Sequence, residues 1–376
     1  MGTNMRDKII TIQVLRGIAA LIVVYVHAII IAEATSSSLS LFSNIYYFRD
    51  FGAFGVDIFF VLSGFIITYT SKDKYATIND KLLFLKKRLH RVYPVYWVVL
   101  FIFVFLILIK STINHYIPGI IKDVESIQYY ELISAIALLP YLTKDSFAVY
   151  LPSAWTLTYE IIFYVSAFIS IVIFNRISLK GIIVVLCAFL IIFGFIFESK
   201  LLNLVFRNSL IIEFIYGVFI AKLFISKSLN RSSSFWLIVF FIGFFFYFLT
   251  LFFPLEHGSN INQFRFIYWG GPAFLIVLAC VYLNDKYKYY MPSSLIFIGD
   301  ASYSIYLTHV AITLPIANKI FDVLGISNHM NFDLYILTLV VLSVIFGSIF
   351  YIFIERFLIK KEFNIAIRGF RVNKYR

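Results

Sequence analysis

The sequence predicts an all-α, polytopic integral membrane protein of about ten transmembrane helices, with both termini cytoplasmic. Three observations carry that expectation. The 376 residues are 61% hydrophobic and only 14% charged, whereas soluble domains run roughly 45–50% apolar and about 25% charged. The mean hydropathy of +0.90 leaves too little polar surface to face water, so lipid must solvate much of the chain. Finally, the apolar residues gather in runs of spanning length, and most cations fall between them on one side.

A backbone in lipid must satisfy its own hydrogen bonds, so each apolar run of about 17–25 residues reads as a helix. Ten such runs occur, at 10–32, 52–71, 93–109, 157–175, 181–197, 208–226, 234–252, 264–283, 293–316 and 332–354. An eleventh apolar piece, at 132–143, is too short to span and reads as re-entrant or interfacial. With no fixed-period repeat and no low-complexity linker, residues 1–376 read as a single membrane domain, with a helical core at 10–354 and a tail at 355–376.

Lys and Arg set the orientation. With the N-terminus inside, 23 cations fall on cytoplasmic segments and 8 on outer ones, with Arg16 inside the first span. Residues 72–91 and the tail are therefore expected in the cytoplasm, and 110–155 outside. The net charge of +12 is a membrane-topology signal in this light, and no nucleic acid is expected as a partner. Arg16 and His27 within the first apolar run argue against a cleaved signal peptide. Cys187 and Cys280 sit in apolar runs and are expected as small core residues.

Ionisable groups inside spans cost roughly 2.5–3.5 kcal/mol each, so they need a partner or a purpose. Seven stand out: Arg16, His27, Asp57, Glu160, Glu213, Asp300 and His309. Singly, each is as well explained by a polar contact between helices. Arg16 and His27, eleven residues apart, share one helix face and stand about 16 Å apart along it. The expected topology puts Arg16 low with the Lys86–Arg91 cluster, and His27, Asp57, Glu160 and His309 in the outer half. Arg88 and Arg91, one turn apart, suit phosphate; Lys86 and Lys87 read as anchors. A phosphate-rich carrier on the arginines, with its reactive end toward a histidine base, fits acyl transfer from a coenzyme A thioester. A proton-coupled transporter or flippase uses the same residue types and remains the alternative. It would be expected to show an inverted repeat, and none is evident. A membrane scaffold would not need Arg16 and His27 on one face.

Five segments resemble one family. They are LRGIAALIVVYVHA, with ten residues between Arg16 and His27; GVDIFFVLSGF from Gly55; KKRLHRVYPVYW, with Arg88 and Arg91; AWTLTYEIIFY, with Glu160; and GDASYSIYLTH, ending at His309. From residue 12 to about 357 the chain resembles the acyltransferase-3 membrane family of bacterial glycan acyltransferases. The WTLTYE form, together with IEFIYGVFIA at 212–221, looks most like the exopolysaccharide acetyltransferase branch. One departure is Glu355-Arg356-Phe357, where the family often has Glu-x-Pro; at a helix end, it is not expected to affect the chemistry.

The resemblance implies a multi-pass protein of the bacterial inner membrane that moves a short acyl group from acetyl-CoA to a sugar hydroxyl. The acceptor would be lipopolysaccharide, capsule or exopolysaccharide, reaching the bilayer directly on a polyprenyl carrier. No bound cofactor and no metal are expected. His27 is the expected base or transient acyl carrier, with Glu160 its nearest carboxylate and Asp57 and His309 completing the site. Arg16, Arg88 and Arg91 would hold the donor. Ser63 and Tyr159 are secondary candidates for substrate contact, Ser63 more simply packing helices beside Gly64.

Overall fold

The computed structural model describes residues 9–33, 52–71, 77–113, 129–142, 147–192, 208–250 and 261–359, with residues 75 and 205. Its helices are α1 (Ile10–Glu33), α2 (Ala53–Thr70), α3 (Ile78–Ile113), α4 (Tyr129–Ala137), α5 (Trp155–Phe174), α6 (Leu179–Ile191) and α7 (Leu210–Ile225). They continue as α8 (Ser233–Thr250), α9 (Ile261–Tyr268), α10 (Gly270–Tyr287), α11 (Ser293–Thr308), α12 (Leu314–Val323) and α13 (Phe332–Phe350). A two-residue antiparallel ladder pairs Tyr141 with Ala148 and Leu142 with Phe147. Among the described residues the regular structure is otherwise helical. Seven helical stretches among the described residues are long and apolar enough to cross a membrane. The expected spans at 52–71, 181–197 and 208–226 are occupied by the shorter α2, α6 and α7.

Small residues let the central helices approach closely. Gly17 of α1 lies against the Gly299 backbone of α11, while His27 and His309 meet ten residues further along each, so α1 and α11 run parallel. Gly64 of α2 abuts the Phe214 carbonyl and Gly217 of α7. The ring pairs Phe60–Phe214 (4.8 Å) and Phe65–Phe224 (6.2 Å) run the same way, so α2 and α7 are also parallel. α1 and α2 are antiparallel, with Gly52 facing Val26 and Gly55 facing Ala19. The Phe-rich α8 buries only a sixth of its length, 17%. Its exposed face, from Phe241 through Phe246, is the side lipid would cover.

The short piece expected as re-entrant or interfacial is re-entrant, and with it part of the stretch expected outside moves into the bundle. The Tyr93, Tyr96 and Trp97 side chains of α3 donate hydrogen bonds to the carbonyls of Ala137, Ala135 and Ile136. Trp97 lies sixteen residues before the end of α3 at Ile113, about 24 Å of helix rise. The chain therefore leaves α3 and returns deep into the bundle, and α4 is re-entrant. Leu151, Ser153 and Ala154 are buried, and the Ser153 hydroxyl donates to the Leu307 carbonyl at 3.3 Å. Residues 129–154, as far as they are described, are thus not an external loop, and α5 starts inside the bundle. Of the two cysteines, Cys187 differs from expectation and is exposed on α6, while Cys280 packs against the core from α10; both are free thiols. An apolar run in a membrane protein has a lipid-facing side, and a small residue can sit there as readily as in the core.

Candidate active site

A cavity of about 90 Å³ lies between α1, α2, α3, α5 and α11. Three guanidinium groups line it: Arg16 from α1 and Arg88 and Arg91 from α3. The sequence placed these three together, and the structure does the same. Local bonds aim them. Arg16 Nη1 donates to Gln13 one turn earlier at 3.1 Å, and Arg88 Nη2 donates to the Thr70 hydroxyl at 2.7 Å. Arg88 also lies 5.5 Å from the centre of the Phe84 ring. Glu160 and Glu355 offset this cluster of like charges only in part, and guanidinium geometry suits phosphate.

Glu160 lines the same cavity and accepts a hydrogen bond from Tyr164. This corrects its expected place beside His27. α5 lies antiparallel to α3, with Lys81 Nζ reaching the Val172 carbonyl at 3.3 Å. Because α5 starts deep, Glu160 comes level with the arginines and not with the outer surface. Tyr303, whose hydroxyl donates to the Val92 carbonyl at 2.9 Å, marks that level on α11. His309 is six residues beyond Tyr303, roughly 9 Å of rise.

The partner of His27 is His309. Their ring centroids are 4.9 Å apart and the planes stand at 75°. His27 Nδ1 is 2.8 Å from the Val23 carbonyl, and His309 Nδ1 is 2.5 Å from the Tyr306 carbonyl. A carbonyl can only accept, so both neutral rings carry their proton on Nδ1. His309 Nε2 lies 3.4 Å from His27 Nδ1, whose proton is already directed at Val23. Among the described residues His27 Nε2 has no hydrogen-bond partner, and in this tautomer it carries the lone pair a base requires. His309 is fully buried and His27 half-buried. His309 opens a π-helical turn, His309–Thr313, just before Pro315. Proline cannot donate the helical bond, and the widened turn accommodates that loss.

Asp57 is also elsewhere than expected. Both its oxygens accept from Arg265 of α9, each at 2.8 Å, in a buried bidentate pair. Arg265 stacks on Trp269 at 4.7 Å, and the fully buried Glu213 of α7 adjoins the pair. Among the described residues Asp57 thus serves a separate ionic cluster joining α2, α7 and α9. Tyr159 is buried beside it, within electrostatic reach of Arg265. Ser63 does line the arginine cavity, while its neighbour Gly64 makes the helix contact.

The sequence reading passed over three features. Tyr306 and Thr156 line the cavity, and their hydroxyls are hydrogen-bonded at 3.0 Å. The three-residue spacing of Tyr303, Tyr306 and His309 was the available signal, since it sets them along one helix flank. Glu355, dismissed as a helix end, is buried, accepts from the Ser304 hydroxyl at 2.5 Å and lies within electrostatic reach of Arg16 and Arg91. It closes the second π-helical turn, Tyr351–Glu355. Its signal was simply a carboxylate ending an apolar run.

A cationic cavity with a histidine pair beyond one wall, enclosed in an apolar helical bundle, is an arrangement a membrane-embedded transferase could use. Residues 9–353 match the acyltransferase-3 profile, described as an acyltransferase domain, and the chain belongs to that family of multi-pass membrane acyltransferases. It is also similar to the exopolysaccharide production protein ExoZ of Rhizobium meliloti (strain 1021), 26% identical over 265 residues, which cover 69% of this chain and 75% of the relative. No solved structure matches it.

Proposed function

We propose that the protein is an O-acetyltransferase of the bacterial inner membrane, moving an acetyl group from acetyl-CoA to a hydroxyl of an exopolysaccharide or its lipid-linked precursor. The observation that carries this reading is the cavity holding three guanidinium groups, with the His27–His309 pair just beyond its Tyr306 wall. Arg16, Arg88 and Arg91 take the donor's phosphates. His27 Nε2 removes the proton of the acceptor hydroxyl as its oxygen attacks the thioester carbonyl carbon. The carbon–sulfur bond then breaks, and the departing thiolate takes the proton back from His27. The Val23 carbonyl, accepting from His27 Nδ1, supports the imidazolium between the two steps, with the His309 ring packed against it. The likeness to ExoZ supports an exopolysaccharide acceptor, and membership of the acyltransferase family supports acyl chemistry over transport.

Membrane vesicles carrying the full chain, supplied with isotope-labelled acetyl-CoA and membrane-borne glycan, test the proposal. Label is expected as an alkali-labile ester on the glycan. Equal labelling in vesicles lacking the protein would overturn it.

A further inference from the structure

The arginine cavity and the histidine pair are adjacent without being continuous. Neither His27 nor His309 lines the cavity; the lining residue in ring contact with His309 is Tyr306, with centroids 5.6 Å apart. Two contacts fix the Tyr306 ring across this end. Its hydroxyl pairs with Thr156 at 3.0 Å, and the Phe59 ring meets it edge-on at 5.9 Å. Thr156 and Phe59 line the cavity too. They belong to α5 and α2, so three helices converge on the closure. His27 is half-buried and does not line the cavity, so its accessible surface is not supplied by the cavity.

We infer that Tyr306, held by Thr156 and Phe59, is the end wall of the donor cavity and sets the length of acyl group the enzyme accepts. This rests on the acyl-CoA reading above and names the residue that gives it selectivity. A thioester anchored on the arginines presents its acyl group toward the wall. A two-carbon group fits beneath the phenol ring, and each further methylene has to displace it. The same ring separates the donor chamber from the surface where an acceptor hydroxyl meets His27, so transfer requires it to turn away from Thr156. The cost of opening falls on every turnover, whereas the length limit falls only on longer donors.

The test is a comparison of donors on the full-length protein in membranes, with acetyl-CoA and butanoyl-CoA each transferred to the same glycan. Removing the ring in Tyr306→Ala should raise the butanoyl-to-acetyl ratio of kcat/KM about tenfold or more, since a pocket discriminates roughly 10–200-fold per methylene. Tyr306→Phe keeps the ring and should hold the ratio within about threefold, while changing kcat for both donors alike. Tyr306→Leu, shorter than tyrosine but still apolar, serves if the alanine variant does not accumulate. A ring-deleted variant that turns over acetyl-CoA with the wild-type ratio overturns the inference. Wild-type protein that transfers neither group would defeat the donor reading itself, so the two failures are distinguishable.

Discussion

The chemistry rests on which nitrogen of His27 is free. The Val23 carbonyl fixes the proton on Nδ1 and leaves Nε2 as the acceptor. His27→Gln keeps hydrogen bonding but cannot take a proton at neutral pH. It should lower glycan acylation about 10²–10⁴-fold in protein that still accumulates in the membrane. Near-normal ester content by mass spectrometry of the glycan would remove His27 from the role of base. The arginines answer to a different measurement. Arg88→Ala or Arg91→Ala should each weaken donor use by roughly 1.5–3 kcal/mol, about ten- to a hundredfold in apparent affinity, by loss of charge-assisted bonds. Unchanged dependence of the rate on acyl-CoA concentration would reassign them to membrane anchoring.

Helix pairs hold these side chains in place, among them α2 with α7. A Cβ at Gly64 would collide with the Phe214 carbonyl oxygen, backbone that cannot move aside. Gly64→Ala should therefore cost about 1–3 kcal/mol, the usual penalty of overpacking, read as a lower thermal midpoint in detergent. Phe241→Ala on the exposed face of α8 should be nearly neutral in the same assay, because it removes no packed neighbour. The Asp57–Arg265 pair ties α9 to α2. Arg265→Ala leaves a buried carboxylate unpaired and should cost about 3–5 kcal/mol. Pairing it with Asp57→Ala should recover part of the loss, and a double variant no better than the single would deny the coupling.

Across the bundle, the parallel pairs α1–α11 and α2–α7 fix how the helices run relative to one another. Which end faces the cytoplasm rests on the asymmetry of 23 cations against 8. A cysteine introduced at Lys81 should react with an impermeant maleimide only from the cytoplasmic side. Labelling from outside would invert the bundle, and the donor cavity would then face away from cytosolic acyl-CoA. The site also depends on the whole assembly: its cavity draws on α1, α2, α3, α5 and α11, and no sequence-local unit of the chain contains it.

By itself the sequence determined what solvation and local periodicity determine. Composition dictated lipid as the solvent, and helical spacing put Arg16 and His27 on one face and Arg88 beside Arg91. Those are properties of single helices, and each reappears in the structure. The partners of the carboxylates were decided only by tertiary structure. Depth along a helix was read on the assumption that every helix begins at a membrane surface, and the return of α4 to the level of Tyr93–Trp97 breaks that assumption for α5. Glu160 accordingly joins the arginines, Asp57 is neutralised by Arg265, and His27 meets His309. A charge buried in an apolar bundle takes the nearest complement that packing brings to it. That choice depends on which helices touch and at what offset, which no segment encodes alone.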